Sequence, residues 1–600
     1  MAFLSFGAAL QESPVFDETA HIGAGLSYVQ KLDLRLNPEH PPLSKAVSGL
    51  FLALRGTRAD YSGPAWRISK DFVPAIAGEW SFGHWVVTRW NDPAVTLIWA
   101  RVPMLLLTLL LGWSIFMYAV RLGGIAGGLI CLVVFVTEPV FLAFGPLVLT
   151  DIPVTLFSVL TIRAFADLWR KPERATIGIF ALYLAGALLC KFSALIVLPG
   201  LLGTGLSTHV IRLRGQPTED AERKAWLRLR WRATGMGLLL TVILVYVFYL
   251  VLSWNQPTSA LERLGSSLPA VVLRRALLPP AIYLGGMFLV LFSFNRLSFL
   301  LGHAYPNGVW FYYPVVFALK TQLGFLGLLS LQMFLGLFRR LSTERADPVV
   351  PIELQMHWRT LRVTFVVFAG VCLLSHFDIS IRHFSVPLAL LILMLAPMPR
   401  MLQSMPGAPR GVVLSVSGIV AALIVSCLFT AVRTYPWYFP YVNAIGMGKP
   451  AYTLMSDSNV DWNQSLPEVE RFVEQHGVED LALDSYSLAD DTVFVPRSHV
   501  WDCQAPQPSD ANRWAVVSAN MILDGHNCAW LLNYPHEALA GGSMYAFQLP
   551  ALIPSEGSPA GPPRVADRRK FLRVAFDFKA LMLQFLRHPE TITEDPRPKL

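Results

Sequence analysis

The chain has 600 residues, of which 54% are hydrophobic and only 15% are charged, and its mean hydropathy is +0.47. Soluble globular domains carry about 25% charged residues, so the composition excludes an ordinary soluble protein and predicts a polytopic membrane protein. The formal net charge of +8 is explained by basic loops between apolar runs, and nucleic acid is therefore not expected as a partner.

The first ten residues, MAFLSFGAAL, cover about half of a membrane crossing. They begin without a basic residue and lack an obvious cleavage site, so they do not have the pattern of a secretory signal. We expect a mis-assigned start codon that has removed most of a first transmembrane helix. A short interfacial segment is the alternative.

Apolar runs near the ~20 residues that cross a bilayer follow along the chain. Residues 176–211 allow one long helix or two passes that break at Cys190 and Lys191, and 281–292 is a further candidate. The predicted spans are 97–119, 124–144, 151–169, 176–190, 192–211, 233–253, 309–338, 363–377, 384–397 and 411–433.

Basic residues set the predicted orientation, because short cytoplasmic loops collect Lys and Arg. The segment 212–232 holds seven basic residues. This loop and a second basic loop, at 339–362, both face the cytoplasm only if 176–211 crosses twice and 281–292 lies on or dips into the outer surface. We therefore predict about 10–11 transmembrane helices in a membrane domain at 1–433, with 13–96 as the first external loop. The second basic loop contains Arg339, Arg340, Arg345, Arg359 and Arg362.

After about residue 433 the composition becomes that of a soluble domain, and we expect a small extracytoplasmic α/β domain at 434–552. LPEVERFVEQHG is typical of a helix that begins near Pro467 and ends at Gly477. DLALDSYSL, RWAVVSAN and GGSMYAFQL are typical of strands. Cys503 and Cys528 are expected to form a disulfide, because external compartments are oxidising.

Residues 553–600 are predicted to be a Pro- and Gly-rich linker followed by a basic amphipathic tail. The segment 564–588 is either a helix on the membrane surface or an exposed disordered tail. DSNVDWNQSLPE, at 457–468, has acids spaced as in a calcium loop but lacks its Gly and its closing Glu. We interpret it as the joint between the last span and the external domain.

Charged side chains at membrane depth are costly, so those kept at helix ends on one side are candidates for a site. A lone Arg or Lys there is more often an interfacial anchor, and acids at a helix start are favoured by the helix dipole. Mixed charges in this number instead predict a pocket for an anionic head group beside a carboxylate. The predicted outer side gathers Asp17, Glu18, Glu39, His40, Lys45, Arg101, Asp151, Lys191, Lys320, Arg382 and His383.

Several motifs carry a family resemblance. They are FDETAH, NPEHPPLSK, ARVP, LTDIPVTLF, LLCKFSALIVLPG, YYPVVFALKTQLG, IRHFSVP and DSNVDWNQSLPE, in chain order. In this combination, over nearly its whole length, the chain resembles bacterial lipid-carrier-dependent glycosyltransferases of the protein O-mannosyltransferase type (glycosyltransferase family 39), which have the GT-C fold. The resemblance implies a sugar donor linked through phosphate to a polyprenol in the bacterial inner membrane. A protein, lipid or glycan acceptor would approach from the periplasmic side.

The resemblance also implies roles for the charged residues. Asp17 would be the general base that takes the proton of the acceptor hydroxyl, Glu18 would support it or bind the acceptor, and Asp151 would match the second acidic position. The phosphate leaving group needs cations rather than a general acid, and one displacement implies inversion. The expected donor-phosphate and substrate-binding residues are His40, Lys45, Arg101, Lys191, Lys320, Arg382 and His383.

This scheme requires no cofactor, although dependence on a divalent metal is left open. Glu39, His40 and His383 would then be its ligands. Two other classes of protein are alternatives. A secondary transporter would show interrupted helices near mid-membrane and internal repeats, and a non-catalytic membrane assembly protein would tolerate Asp17→Asn.

Overall fold

The protein is described here by a computed structural model that covers residues 1–68, 75–213, 220–292, 297–341, 351–403, 409–487, 491–504, 514–523 and 528–550. The predicted tail at 553–600, including 564–588, lies outside these residues, as do Arg214 and Arg345 of the two basic loops. The described chain is mainly helical and ends in a small mixed sheet.

Two groups of helices precede the C-terminal sheet. After a helical turn at Ala2–Phe6, the first group is α1 (Gly7–Ala9), α2 (Phe16–Lys31), α3 (Leu43–Arg55), α4 (Pro64–Ile68) and α5 (Ala75–Thr88). The second is α6 (Pro93–Thr137), α7 (Pro139–Phe144), α8 (Asp151–Arg170), α9 (Arg174–Cys190), α10 (Val197–Leu213), α11 (Asp220–Leu252), α12 (Leu268–Phe292), α13 (Tyr312–Lys320), α14 (Leu323–Leu341), α15 (Gln355–Leu374), α16 (Ser385–Met394), α17 (Met398–Gln403) and α18 (Arg410–Thr434).

The second group confirms a polytopic membrane protein. In the described part of the chain, nine helical stretches are long and apolar enough to cross a bilayer, and Arg174–Cys190 is a shorter apolar helix. The nine are Pro93–Thr137, Asp151–Arg170, Phe192–Ile211, Ala221–Leu252, Leu268–Leu291, Leu323–Leu341, Gln355–Leu374, Ile381–Gln403 and Arg410–Thr434.

The 45 residues of α6 cover the predicted span 97–119 and the larger part of the predicted span 124–144. A straight helix of that length would measure about 68 Å, roughly twice the hydrocarbon thickness. Gly124 breaks the helix with φ of +80°, a left-handed conformation that glycine adopts without steric cost. The next break also agrees with the prediction, since α9 ends at Cys190 and a short 3₁₀ turn, Phe192–Ile196, leads into α10.

The predicted span 309–338 is wrong, because the helix is interrupted at Thr321. Thr321 has an extended backbone, with φ of −85° and ψ of 143°. The Gln322 side chain donates to the carbonyls of Thr137 and Cys427, at 2.7 and 3.0 Å. Contacts with distant parts of the chain therefore separate α13 from α14, and only α14 is a candidate span.

The predicted first external loop, 13–96, contains four helices. Helix α2 packs against both α3 and α5 at glycine contacts. A Cβ at Gly49 would meet the carbonyl of Gly25 at 2.0 Å, and one at Gly83 would meet the carbonyl of Thr19 at 1.9 Å. These close approaches let the three helices form a compact layer with its own apolar core, which includes Ile22, Leu26, Leu52, Phe82 and Val86.

Helix α12 is longer than the predicted apolar run at 281–292. It contacts the C-terminal part of α11, where the Tyr249 ring lies 5.6 Å from the Tyr283 ring. It also approaches the loop before α3, since a Cβ at Gly286 would meet the Pro38 carbonyl at 2.0 Å. These contacts place α12 beside the helices of the 13–96 segment.

The C-terminal sheet has the order β4-β3-β5-β7-β6. Strand β3 is parallel to its neighbours β4 and β5, and strand β7 is antiparallel to its neighbours β5 and β6. The predicted helix is present as α19 (Leu466–His476), and Gly477 ends it with φ of +61°. Three strands match the predicted ones, whereas the short β4 and β6 and a hairpin before α13 were not predicted. The strands are β1 (Ser298–Leu300), β2 (His303–Tyr305), β3 (Leu481–Asp484), β4 (Ser498–Val500), β5 (Trp514–Ser518), β6 (His536–Leu539) and β7 (Met544–Gln548), with α20 (Ala519–Leu523) after β5.

Cys503 and Cys528 form a disulfide, with their Cα atoms 5.6 Å apart and a sequence separation of 25. Closing a loop of that length stabilises a fold by about 3 kcal/mol through the unfolded state. We expect the full-length double variant Cys503→Ser/Cys528→Ser to lose about that much stability in the sheet, measured by hydrogen exchange of residues 514–518 and 544–548. Chemical reduction should lower the protection of the wild type and leave that of the variant unchanged; equal protection before and after reduction would contradict the prediction.

Candidate active site

The start of α2 is held by the segment 462–466. The backbone N–H of Phe16 donates to the Trp462 carbonyl at 3.0 Å, and that of Ser13 donates to the Gln464 carbonyl at 3.1 Å. Asp17 and Glu18 follow in the first helical turn, where the exposed N–H groups of the helix favour acids. The predicted joint at 457–468 therefore also fixes the position of the first acidic pair.

Four of the predicted residues lie together with alternating charge, and we call them the charge row: Asp17, Arg382, Asp151 and Lys191. Arg382 Nη2 lies 3.4 Å from Asp17 Oδ2, and its Nη1 lies 3.6 Å from Asp151 Oδ2. Lys191 Nζ donates to Asp151 Oδ1 at 2.6 Å. Residues far apart in sequence thus form one continuous polar group.

Exposure differs along the charge row. Asp17 keeps 24% of its side-chain surface exposed, whereas Asp151 keeps 2% and Arg382 keeps 7%. Burial lowers the pKa of Lys191, while the neighbouring Asp151 carboxylate opposes that shift. Asp17 is therefore the carboxylate of this group that a second molecule can reach.

Trp462, which lies in the joint at 457–468, contacts the charge row through Arg382. The Arg382 guanidinium lies over its ring, with the carbon atom 3.9 Å from the centroid, a cation–π contact. Asn459 fixes the backbone before Arg382, because its side chain accepts from the Ile381 N–H at 3.0 Å and donates to the Ile379 carbonyl at 3.0 Å. The joint thus orients both Asp17 and Arg382.

Arg101 and Glu18 form a buried ion pair next to Asp17. Arg101 donates through Nε and Nη2 to the two oxygens of Glu18, at 2.9 and 2.6 Å. Its remaining donors reach the carbonyls of Ala9, Glu12 and Ser13. All five guanidinium donors are used within the protein, so Arg101 has none for a phosphate.

Lys45 and Lys320 are also engaged internally. Lys45 Nζ donates to the carbonyl and side-chain oxygens of Asn37, at 2.8 and 2.7 Å, and to the His40 carbonyl at 2.7 Å. Lys320 Nζ donates to the carbonyls of Phe439 and Asn459. Both amines hold loops in place, and all three donors of Lys45 are used in this way.

His40 lies beside the charge row on the loop before α3. Its ring packs edge-on against His21, with centroids 5.5 Å apart. Burial, His21 and the cation Lys191 lower the pKa of His40 well below its usual value, so the imidazole is neutral. His383 follows Arg382 in the turn Ile381–Phe384 and is partly buried.

Buried polar atoms without a hydrogen-bond partner are found around the charge row. Such atoms are costly unless a partner or solvent satisfies them. Among the described residues they include Glu39 Oε2, His40 Nδ1, Glu79 Oε2, Trp80 Nε1, Asp151 Oδ2 and Arg382 Nε.

A metal centre at Glu39, His40 and His383 is not assembled. Within the described ranges, only Asp484, Cys503 and Cys528 bring three potential ligand atoms within 4.8 Å of one another. Two of those three are joined in the disulfide. The alternative ligand set of the sequence therefore finds no support in the geometry.

No protein-family model and no curated protein matches this chain. Among solved structures, it is similar to ArnT from Cupriavidus metallidurans in the apo state, with 12% identity, coverage of 90% of this chain and 95% of that chain, and a TM-score of 0.43. It is also similar to ArnT from the same organism bound to undecaprenyl phosphate, with 13% identity, coverage of 91% of this chain and 95% of that chain, and a TM-score of 0.40. Since both TM-scores lie below 0.5, these structures define neither the fold nor the chemistry of this chain.

Three residues of the site were not singled out from the sequence. His21 Nδ1 donates to the Val148 carbonyl at 2.7 Å and so ties α2 to the segment before Asp151. Glu79 and Trp80 face the same polar region from α5. An acid in the apolar stretch AIAGEWSFGHWVV is a signal that could have identified Glu79, because such an acid is costly without a partner.

Proposed function

We propose that the protein is a membrane glycosyltransferase of the GT-C type that moves a sugar from a polyprenyl phosphate to an acceptor hydroxyl. The observation that carries the proposal is the charge row, in which the partly exposed carboxylate of Asp17 contacts the buried cation Arg382, and Lys191 pairs with the neighbouring Asp151. The resemblance of the motifs around these residues to the protein O-mannosyltransferase type supports it. A site on the extracytoplasmic side of a bacterial inner membrane is part of the proposal.

The reaction assigns a task to each member of the charge row. Asp17 accepts the proton of the acceptor hydroxyl as its oxygen attacks the anomeric carbon. The bond from that carbon to the phosphate oxygen breaks, and its electron pair leaves on the polyprenyl phosphate. Arg382 and Lys191 stabilise this negative charge, and Asp151 orients both cations. A single displacement of this kind inverts the anomeric configuration.

The proposed function is tested by incubating the purified full-length protein with a panel of undecaprenyl-phosphate sugars. The measurement is the release of undecaprenyl phosphate in the presence and absence of hydroxyl-bearing acceptors. Acceptor-dependent release from one donor of the panel is the expected result. A folded protein that consumes no donor would contradict the assignment.

Arg382→Gln is expected to weaken binding of undecaprenyl phosphate by about 10- to 100-fold, because a charge-assisted hydrogen bond contributes about 1.5–3 kcal/mol. The measurement is the Kd of the detergent-solubilised protein for undecaprenyl phosphate. Arg433→Gln, which removes an exposed arginine from the end of α18, serves as the matched control and should bind like the wild type. Equal affinities of all three proteins would remove Arg382 from the phosphate site.

A further inference from the structure

A cavity of about 210 Å³ lies between the end of α8 and the start of α9. The charge row uses the other ends of the same two helices, since α8 begins at Asp151 and Lys191 follows α9. The 20 residues of α8 measure about 30 Å, the thickness of the hydrocarbon core. The cavity therefore lies near the membrane face opposite to the proposed reaction. It is lined by Ala164, Asp167, Arg170, Lys171, Thr176 and Ile179.

Two cations of this cavity are available to a ligand. Arg170 and Lys171 are exposed, and neither side chain has a hydrogen bond or an ion pair in the part of the chain that the structure describes. The acid among the lining residues, Asp167, is already bound to Arg121 through two hydrogen bonds, at 3.1 and 2.8 Å. Those two charges cancel, so the cavity keeps the positive charges of Arg170 and Lys171.

The backbone that carries the two cations is held in place by its neighbours. Thr176 Oγ1 donates to the Lys171 carbonyl at 2.7 Å, and the Lys171 N–H donates to the Asp167 carbonyl at 2.8 Å. Arg230 of α11 donates to the Trp169 carbonyl at 2.7 Å. A backbone that is already ordered lowers the entropic cost of binding, so the cavity is prepared for a ligand.

The other side of the cavity leads onto an apolar surface. Ile179 is 46% exposed, and Leu182, about one turn further along α9, is 57% exposed. Lipid tails are as apolar as leucine, so these side chains are suited to contact hydrocarbon. A ligand that enters from the membrane can place a charged end beside Arg170 and Lys171 and a hydrocarbon end along α9.

This combination selects the phosphate of a lipid. Arg and Lys bind phosphate through charge-assisted hydrogen bonds, and basic pockets between transmembrane helices hold anionic head groups. The volume lies below the roughly 300 Å³ at which pockets for drug-sized molecules begin, so a head group suits it better than a large soluble ligand. Inorganic phosphate has the same charge but leaves the apolar side of the cavity without a contact.

We propose that this cavity binds the phosphate head group of an anionic phospholipid from the leaflet opposite to the charge row. Arg170 and Lys171 bind the phosphate, and an acyl chain lies along Ile179 and Leu182. The site goes beyond the proposed function, because this phospholipid is neither donor nor acceptor in the reaction. Its binding does not depend on Asp17.

The test compares two phospholipids that differ in head-group charge. Delipidated full-length protein in detergent is titrated with phosphatidylglycerol or with zwitterionic phosphatidylcholine, and the Kd of the first bound lipid is measured by native mass spectrometry. We expect phosphatidylglycerol to bind at least about tenfold more tightly to the wild type, and Arg170→Gln/Lys171→Gln to lower that ratio to about threefold or less. The control Arg340→Gln/Arg410→Gln, which removes two exposed arginines at the ends of α14 and α18, should keep the wild-type ratio.

Two further measurements separate this site from its alternatives. Ile179→Trp keeps both cations but fills the cavity, so it should also lower the ratio to about threefold or less. If Arg170 and Lys171 were only interfacial anchors, Ile179→Trp would keep the wild-type ratio, and that result overturns the proposal. Inorganic phosphate in large excess should leave phosphatidylglycerol bound; displacement would assign the cavity to a soluble anion instead.

A wild-type ratio near one, or an unchanged ratio in Arg170→Gln/Lys171→Gln, also overturns the proposal. The thermal unfolding midpoint of each variant should match that of the wild type, because the changed side chains are exposed. If Ile179→Trp does not fold, the ratio in Arg170→Gln/Lys171→Gln decides.

Discussion

Asp17→Asn is expected to lower kcat for sugar transfer by about 10²- to 10⁴-fold, the usual contribution of a general base. The amide has the size of the carboxylate but cannot accept the proton of the attacking hydroxyl. Folding should hardly change, because the amide fills the same space, Asp17 is 24% exposed and its contact with Arg382 is 3.4 Å long. The measurements are initial rates of transfer with saturating donor and the thermal unfolding midpoint in detergent.

Asp60→Asn is the matched control, since Asp60 is an exposed acid in the same N-terminal segment. Its rate should equal that of the wild type. Affinity for undecaprenyl phosphate should stay within about threefold in Asp17→Asn, because the phosphate is assigned to the cations rather than to this acid. A variant that transfers sugar at the wild-type rate would exclude Asp17 as the base and favour the alternative of a non-catalytic membrane protein.

Hydropathy and basic residues together were sufficient to predict most of the membrane helices. The break after Cys190 could be predicted because only two passes keep both basic loops on one side. The break at Thr321 could not, since the apolar run continues through it. That break depends on Gln322 reaching Thr137 and Cys427, which are more than a hundred residues away in sequence and leave no local signal.

Asp151, Lys191 and Arg382 could be proposed from sequence because each stands at the end of an apolar run, whereas the role of Asp17 came from the family resemblance of its motif. The same pattern predicted a phosphate-binding role for Arg101 and Lys320, whose donors contact oxygens of the protein itself. A cation at a helix end looks alike in sequence whether it binds a ligand or satisfies carbonyls of its own chain. Only the partners of each donor separate the two cases, and those partners are set by tertiary structure.

Helices α2 and α5 show a second limit of sequence reading. The segment 13–96 was expected to be a loop because its helices are shorter than a membrane span. Their packing depends on small residues at Gly25, Gly49 and Gly83, which hydropathy does not weigh. Glu79 enters the site only through that packing, since α5 brings it to Asn37 on the loop before α3.

Arg101→Gln is expected to lower the free energy of unfolding by about 3–5 kcal/mol, the cost of removing one partner from a buried ion pair. The side chains of Arg101 and Glu18 are 2% and 0% exposed. The substitution leaves the Glu18 carboxylate buried with only two backbone donors, from Val15 and Val148. It also leaves the carbonyls of the N-terminal segment without their cation. The measurement is unfolding by SDS in mixed micelles.

The Arg121–Asp167 pair offers a matched control, because it is also bidentate, at 3.1 and 2.8 Å, but its side chains are 25% and 27% exposed. Arg121→Gln should cost about 1 kcal/mol or less, since solvent screens such a pair. In a double-mutant cycle, Arg101→Gln combined with Glu18→Gln should cost less than the sum of the single changes, because the double variant leaves no buried charge unpaired. Since Glu18 adjoins Asp17 and accepts from the Val148 N–H near Asp151, loss of this pair should also lower sugar transfer. A stable Arg101→Gln protein with full activity would show that the start of α2 is held by the joint at 462–466 alone.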